Sequence, residues 1–536
     1  MKISKVLIFI PIIVILLMII VIVRMKMDAR DPYPEVNTNG VTIPKFSEVA
    51  FPFNHEHNKK ESLPFMASAV IDIDNNGTEE VFVGGGYNQQ DGLFEYKDSK
   101  FIDITDGRGL TKNDNDTTFG SIVLDVDHDG DSDLIVTRNS GVWLYTNDNG
   151  IFSGSNLNVP LDDDTTALSV AVSDINRDGH FDMYVSGYIK NELVEGQNIF
   201  NKEGYGGTSA MLLNNGDNTF RNITKESGLY YKHNTFQAIF VDLDNDDLED
   251  LVVAHDTGQV RTWKNLGNLK FKNVVNPNSK QYGYPMGIAV ADYNNDGRVD
   301  LFFSNVGSTP PTFIVTGDLR DDQVFNPKWI LFRNDGNFKF TDVAEEAKLA
   351  DLEFSWGAIF EDFNLDGLHD LVVSENYIGF PPHKLPFLRL PGRLLMQKSN
   401  QQFAVAEKQA GIENPLFSIS PLTADFNNDG YPDVLHINLD GPVKAYINKG
   451  GKSHYVKVKL ADNVNSIGAT IEVTTGSGKI YTAPFISGEG LCSDQSHIVV
   501  FGLDNENSIR KITVHYLSGE DKVIENPKVN STVTII

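Results

Sequence analysis

Asp125-Val-Asp127-His-Asp129-Gly130-Asp-Ser-Asp133 lies between two apolar runs, Ser121-Ile-Val-Leu124 before it and Leu134-Ile-Val136 after it. Carboxylates occupy positions 1, 3, 5 and 9 of this nine-residue stretch, and Gly130 occupies position 6. Carboxylates this close repel. At 4 Å and an effective dielectric near 20, each like-charged pair costs on the order of 4 kcal/mol. A hard divalent cation removes that cost, and Ca²⁺ accepts several oxygens from a flexible loop. Asp131 at position 7 would offer its backbone carbonyl, and Gly130 allows the sharp turn under the ion. The expected unit is an acidic loop between two strands.

Six more copies follow the same register. The first is Asp72, Asp74, Asn76, Gly77 and Glu80, and the third is Asp174, Asn176, Asp178, Gly179 and Asp182. The fourth is Asp242, Asp244, Asp246 and Asp250, with Asp247 where the others have Gly. An Asp there must adopt a glycine-like backbone, which Asp tolerates better than most residues. The fifth is Asp292, Asn294, Asp296, Gly297 and Asp300. The sixth is Asp362, Asn364, Asp366, Gly367 and Asp370, and the seventh is Asp425, Asn427, Asp429, Gly430 and Asp433. A lone Asp/Asn/Gly cluster is an ordinary turn; seven between apolar strands are not. An EF-hand would need an acid at position 12, where this chain has Val83, Val136, Val185, Val253, Phe303, Val373 and His436. Up to seven Ca²⁺ ions are expected.

A hairpin pattern follows each loop, as in Leu212-Leu-Asn-Asn-Gly216, Trp263-Lys-Asn-Leu-Gly267 and Leu331-Phe-Arg-Asn-Asp-Gly336. Such Asn/Gly turns between apolar runs are hairpin signals. Each unit is thus four short strands, and repeats of this kind predict an all-β fold with a seven-bladed β-propeller. Five residues before each loop stand Ala67, Gly120, Ser169, Gln237, Gly287, Gly357 and Ser420. Six of these are small, as crowding around a central axis would require. Lys45-Phe-Ser-Glu-Val49 matches the fourth-strand pattern that the seventh unit lacks, so it is expected to close the ring and remove an exposed sheet edge. Alternating strand direction puts all acidic loops and Asn/Gly turns on one face. Long connections at 186–210, 304–329 and 374–393 fall on the other, with aromatics such as Tyr188, Trp329 and Tyr377 that either form a binding surface or pack on one another.

From about residue 452 the repeat gives way to alternating β patterns such as Tyr455-Val-Lys-Val-Lys-Leu460, a small β-sandwich. The acidic units, with Phe119-Gly120 ahead of the second loop, resemble the FG-GAP/VCBS repeats of integrin α-subunit propellers. The C-terminal part, with Asn465-Ser-Ile-Gly-Ala469, Gly488-Glu-Gly490 and Phe501-Gly-Leu503, resembles the ASPIC/UnbV domain, although it has His515-Tyr-Leu-Ser-Gly519 where Trp-Pro-x-Gly is usual. Together they look like the cartilage-acidic-protein-1 family. The resemblance implies calcium-dependent extracellular binding and carries over no catalytic residues.

The chain of 536 residues has a net charge of −28, which argues against a nucleic-acid partner. Of its acidic residues, 23 occupy loop positions, so most of the excess charge belongs to the loops. An 18-residue apolar run at 6–23, flanked by Lys5 and Arg24, reads as an uncleaved signal anchor, with a cleaved signal peptide as the alternative. The expected layout is an anchor at 1–23, a linker at 24–43, the propeller at 44–451 and the β-sandwich at 452–536. The bulk lies on the extracytoplasmic side, where such loops fill with calcium, or is secreted if the run is cleaved. Cys492 is the one cysteine and reads as a small buried residue. His55-Glu-His57 could hold a metal on one strand face but reads as a solvated loop. No nucleophile elbow, phosphate loop or zinc pattern occurs. The function expected is therefore a non-enzymatic binding or adhesion module for a protein or glycan at the cell surface. The alternatives are a calcium-dependent polysaccharide lyase or hydrolase, and a structural envelope component.

Overall fold

The computed structural model describes residues 31–194, 204–307, 318–379 and 381–535. The expected anchor over 1–23 lies outside the described residues. Among the described residues, no helix is long and apolar enough to cross a membrane.

Seven antiparallel sheets follow in chain order, each built on one acidic unit. Their first two strands are Ser68–Ile71 and Glu80–Val83 in sheet 1, Thr118–Leu124 and Asp133–Arg138 in sheet 2, and Thr165–Ser173 and Asp182–Ile189 in sheet 3. Sheets 4 and 5 begin with Thr235–Val241 and Asp250–His255, and with Ile288–Ala291 and Asp300–Phe303. Sheets 6 and 7 begin with Ser355–Glu361 and Asp370–Glu375, and with Ser418–Ala424 and Asp433–Asn438. Each opening strand packs against the opening strand of the next sheet, and that of sheet 7 returns to sheet 1. The result is a closed, propeller-like ring. Because neighbours cover both faces of these strands, they are buried without alternation, as every residue of Thr118–Leu124 is.

The small residues five places before each loop mark where the ring is tightest. In five sheets the register between the first two strands shifts at that point. A Cβ on Gly287 would come 2.6 Å from the Cα of Gly357, and one on Gly357 would come 2.8 Å from the Cα of Ser420. The ring closes as the sequence predicts. Phe46–Val49 pairs antiparallel with Lys444–Asn448 of sheet 7, Phe46 opposite Asn448 and Val49 opposite Ala445.

Residues 31–43 are docked rather than free. The Tyr33 hydroxyl donates to Asp351 at 2.9 Å, Lys398 donates to the Asn37 carbonyl at 2.7 Å and Asn364 to the Thr42 carbonyl at 2.9 Å. His55 also departs from expectation. It is 1 % exposed, its Nδ1 lies 3.2 Å from the backbone N–H of Asp440, and burial pushes its pKa down to about 3. It sits beside the closing strand, where sheets 1 and 7 leave no room for a solvated loop.

The C-terminal sandwich consists of a three-stranded sheet (Ile498–Asp504, His454–Leu460 and Thr532–Ile535) and a four-stranded sheet (Ile480–Pro484, Thr470–Thr475, Ile509–His515 and Asp521–Glu525). Val456, Val458, Ile471, Ile512 and Val514 share one core with Ile122 and Val170 of the ring. Its connection at 485–497 enters the ring axis. There Ser493 and Asp494 pair in parallel with Ser68 and Ala69, and Gly490 bridges to Ile288. Gln237, the one large residue in the small-residue series, donates to the Gly488 carbonyl at 2.6 Å and accepts from the Cys492 N–H at 3.0 Å. Its bulk is spent on the plug. Cys492 is buried beside it.

The other mouth is filled from the N-terminal side. The Phe65 ring lies 5.9 Å from those of Tyr188 and Phe236 and 6.1 Å from that of Trp356. Tyr188 and Trp329, aromatics of the long connections, are buried; these rings pack inward rather than forming an open surface. Sheets 1 and 2 are joined by a fully buried ion pair, in which Arg138 contacts Asp91 at 2.5 Å and Tyr145 at 2.8 Å. Removing one partner strands a buried charge, so Arg138→Met should lower the unfolding free energy by about 3–5 kcal/mol. Denaturant titration measures this, and an unchanged midpoint would show that Asp91 has another counter-charge.

Candidate metal centre in the acidic loops

All seven loops share one backbone path. The fourth residue of each has a left-handed φ: Asn75 56°, His128 62°, Arg177 59°, Asn245 57°, Asn295 55°, Leu365 57° and Asn428 55°. The sixth does too, and Asp247 takes this conformation at φ 64° where the other loops have Gly. Under this path the first aspartate accepts from the fifth and sixth backbone N–H groups. In the seventh loop Asp425 receives Asp429 at 2.9 Å and Gly430 at 2.7 Å. The Asp72, Asp174, Asp242, Asp292 and Asp362 carboxylates are held the same way.

The ninth-position acid holds the loop to its sheet. One oxygen of Glu80, Asp133, Asp182, Asp250, Asp370 and Asp433 accepts the N–H of the loop's second residue at 2.8–3.3 Å. The other oxygen of Asp133, Asp182, Asp250, Asp300, Asp370 and Asp433 accepts a hairpin N–H at 2.7–2.8 Å, from Asn147, Asn214, Asn265, Asn334, Gln397 and Asn448. Burial pushes these carboxyls up, Asp133 to about 7 and Asp182, Asp250 and Asp300 to about 8, with nearby loop acids adding to the shift. Positive charge in the loop would favour their ionised form.

The structure brings the expected ligands together unevenly. Among the described residues, Asp125, Asp127 and Asp133 place carboxylate oxygens within 4.8 Å of one another, as do Asp242, Asp244 and Asp250. The Asp125 Oδ1 is buried and makes no hydrogen bond, so it fits a cation. In the third, fifth, sixth and seventh loops the third-position residue is Asn. Its amide donates to the fifth-position carboxylate at 2.8–3.1 Å, as from Asn176 to Asp178 and from Asn427 to Asp429. Asp74, Asn76 and Asp129 lie exposed at their loop tips. These donors are the oxygen-rich set that Ca²⁺ takes.

Two further sets of residues complete the assembly. Fourth-position side chains reach the sixth-position carbonyl of the next loop: Asn75 to Gly130 at 2.8 Å, His128 to Gly179 at 3.1 Å, Arg177 to Asp247, and Asn295 to Gly367 at 3.0 Å. The hairpin amides reach back to the preceding loop, Asn147 to the Ile73 carbonyl at 2.9 Å, Asn334 to Leu243 at 2.9 Å, Gln397 to Tyr293 at 2.8 Å and Asn448 to Phe363 at 3.0 Å. The recurrence of Asn at both places was visible in the sequence; its role as a clamp between loops was not. Asn448→Ala would leave the buried Phe363 and Pro432 carbonyls without this donor, at about 1–3 kcal/mol for each carbonyl left unpaired. Chemical denaturation reads the loss, and an unaltered stability would show that the clamp contributes nothing.

The C-terminal domain sits on the acidic face. Lys457 and Lys459, two places apart on one strand, reach Asp425 at 2.8 Å and Asp72 at 2.7 Å, so they bridge the last and first loops across the closing seam. Elsewhere a gap opens between this domain and loops 3–5. It forms clefts of about 470 Å³ and 540 Å³ that share Asp247, Tyr516 and Leu517. His497 pins the domain to the second loop's strands. It pairs with Asp462 and lies 3.6 Å from Asp494. The Asp462 carboxylate accepts from Ser132 at 2.6 Å and the Asp494 carboxylate from the Val123 N–H at 2.7 Å. Burial pulls the imidazole towards neutrality, but Asp462 and then Asp494 outweigh it and hold its pKa well above the ordinary value. A raised folded pKa gives stability that is full below about 6.5 and lost as pH rises through the folded value. In saturating calcium, the parent melting temperature should therefore fall at alkaline pH by an increment absent from His497→Gln. Parallel profiles would exclude the imidazolium pin.

The chain matches the family model described as FG-GAP-like repeat at residues 125–185 and 242–303, and the one described as ASPIC and UnbV at 459–536. The chain thus carries FG-GAP-like repeats and a C-terminal ASPIC/UnbV domain. It is similar to cartilage acidic protein 1 of Xenopus tropicalis, 22% identical over 499 residues that cover 78% of this chain and 72% of the relative. It is also similar to the Homo sapiens protein of that name, 20% identical over 323 residues covering 57% and 46% respectively. Among solved structures, BBS1N in complex with ARL6DN aligns with a TM-score of 0.42 and 9% identity, covering 76% of this chain and 97% of that one.

Proposed function

We propose that the chain is a seven-bladed propeller braced by calcium, held at the extracytoplasmic surface by residues 1–23, that binds a protein or glycan ligand. The observation that carries the calcium reading is the second loop. Three carboxylates converge there, and the buried Asp125 Oδ1 has no hydrogen-bonding partner. Asp125, Asp127, Asp129 and Asp133 would hold the ion, which supplies counter-charge and no chemistry. The same backbone path in the other loops supports extending the reading to them, and similarity to cartilage acidic protein 1 supports the binding role. Two clefts between loops 3–5 and the C-terminal domain offer open concavities that a ligand could enter.

Chelation tests this reading. EDTA should lower the melting temperature sharply and calcium should restore it. Retention on glycan or protein arrays should require calcium. A melting curve indifferent to EDTA would overturn the metal reading. Polysaccharide turnover that survives substitution of every loop acid but fails on loss of another carboxylate would replace the binding role with an enzymatic one.

A further inference from the structure

The fourth loop differs from its six companions in more than the missing glycine. The residue before each hairpin Asn or Gln is Thr146, Leu213, Lys264, Arg333, Met396 or Ile447. Lys264 alone among these turns its charge into its own sheet's acidic loop. Its ammonium donates to the carboxylate of Asp244, at position 3, and to that of Asp246, at position 5, at 2.7 Å. It also lies 5.4 Å from the centre of the Phe338 ring, which fixes its approach. The other charged contacts differ. Lys457 and Lys459 touch Oδ2 of Asp425 and Asp72, the oxygen already turned to the sixth-position N–H. Arg298 contacts Asp296 alone within its loop. Positions 3 and 5 are those whose oxygens an ion would draw inward.

We propose that Lys264 is the resident cation of the fourth loop, so that this loop stays closed without calcium and the chain binds one ion fewer than it has loops. The inference rests on the calcium reading of the other loops and sharpens it. The ammonium takes up two of the four carboxylates and places a positive charge where Ca²⁺ would have to enter. The remaining scaffold is intact, since Asp242, Asp244 and Asp250 still converge and the buried Asp244 Oδ1, like Asp125 Oδ1 in the second loop, has no hydrogen-bonding partner. Removing Lys264 should therefore create a calcium site rather than destroy one.

Native mass spectrometry of the full chain in calcium counts ions directly. Lys264→Gln should carry one more ion per chain than the parent, and Lys264→Arg should match the parent. Asp125→Asn, which weakens the second loop, should carry one fewer and calibrates the count. In EDTA, Lys264→Gln should melt below both the parent and Lys264→Arg, and added calcium should narrow the gap. Equal ion counts in parent and Lys264→Gln, or equal melting of the two in EDTA, would overturn the proposal. If no variant binds calcium at all, the calcium reading fails, and the metal-free melting comparison alone decides whether Lys264 is the loop's counter-charge.

Discussion

The assembly depends on a carboxylate that has no water to face. At the ninth loop position Asp133, Asp182, Asp250, Asp300, Asp370 and Asp433 are fully buried. In most of them one oxygen takes an N–H from the loop and the other takes an N–H from the hairpin on the neighbouring strand. A single side chain thereby fixes three pieces of backbone at one corner of each sheet. Hydrogen bonds to a charged group are worth roughly twice neutral ones, but the charge must survive burial. The other loop acids then make matters worse by repulsion, which a bound cation would relieve. The acidity is the consequence of using carboxylates as brackets in a dry corner.

Once each loop has this shape, the ring follows from contacts between loops. In four loops the left-handed fourth residue points its side chain at the next loop's sixth carbonyl, and four hairpin amides point back at the preceding loop's second carbonyl. Together these ties link every adjacent pair of loops except the last and the first. Crowding at Gly120, Gly287 and Gly357 sets how close the opening strands can come, and the strand Phe46–Val49 closes the circle. Local geometry at one repeated corner is thus joined from loop to loop around most of the ring.

What was legible in the sequence was whatever repeats at fixed spacing. The loop register, the strand pairs flanking it, the small residues near the axis and the closing strand all come from periodicity, and the structure contains them. Asp247 was legible as a strained substitution because six glycines defined the norm. What escaped was non-periodic. Nothing local in Gly488-Glu-Gly490 says that this turn enters the ring, because its partners Gln237 and Ile288 lie more than 190 residues away. The Asn residues of the hairpins read as turn formers, since an amide that clamps two loops has the same sequence signature as one that caps a turn. The aromatics expected in the long connections left two readings open, a binding surface or mutual packing, and the buried Tyr188 against Phe65 and Trp329 against Phe302 fit the second.

The position of the C-terminal domain changes which face is open. An acidic ring alone would present seven loops to solvent. Here the seam between the last and first loops is covered by Lys457 and Lys459, the second loop is covered through His497, and the axis is filled by 485–497. The domain stands off loops 3–5, where the clefts lie. That is also where the repeat is least regular, with Asp247 at the shared wall and Lys264 behind it. Lysine is a poor calcium mimic in one respect, since its single charge offsets half of what a divalent ion does. It has one advantage: it cannot be stripped by a chelator or by falling calcium. With the resident cation proposed for the fourth loop, Asp247 at the shared wall would hold its place without calcium, while the loop 3 and loop 5 residues of the same clefts would follow the occupancy of their own loops.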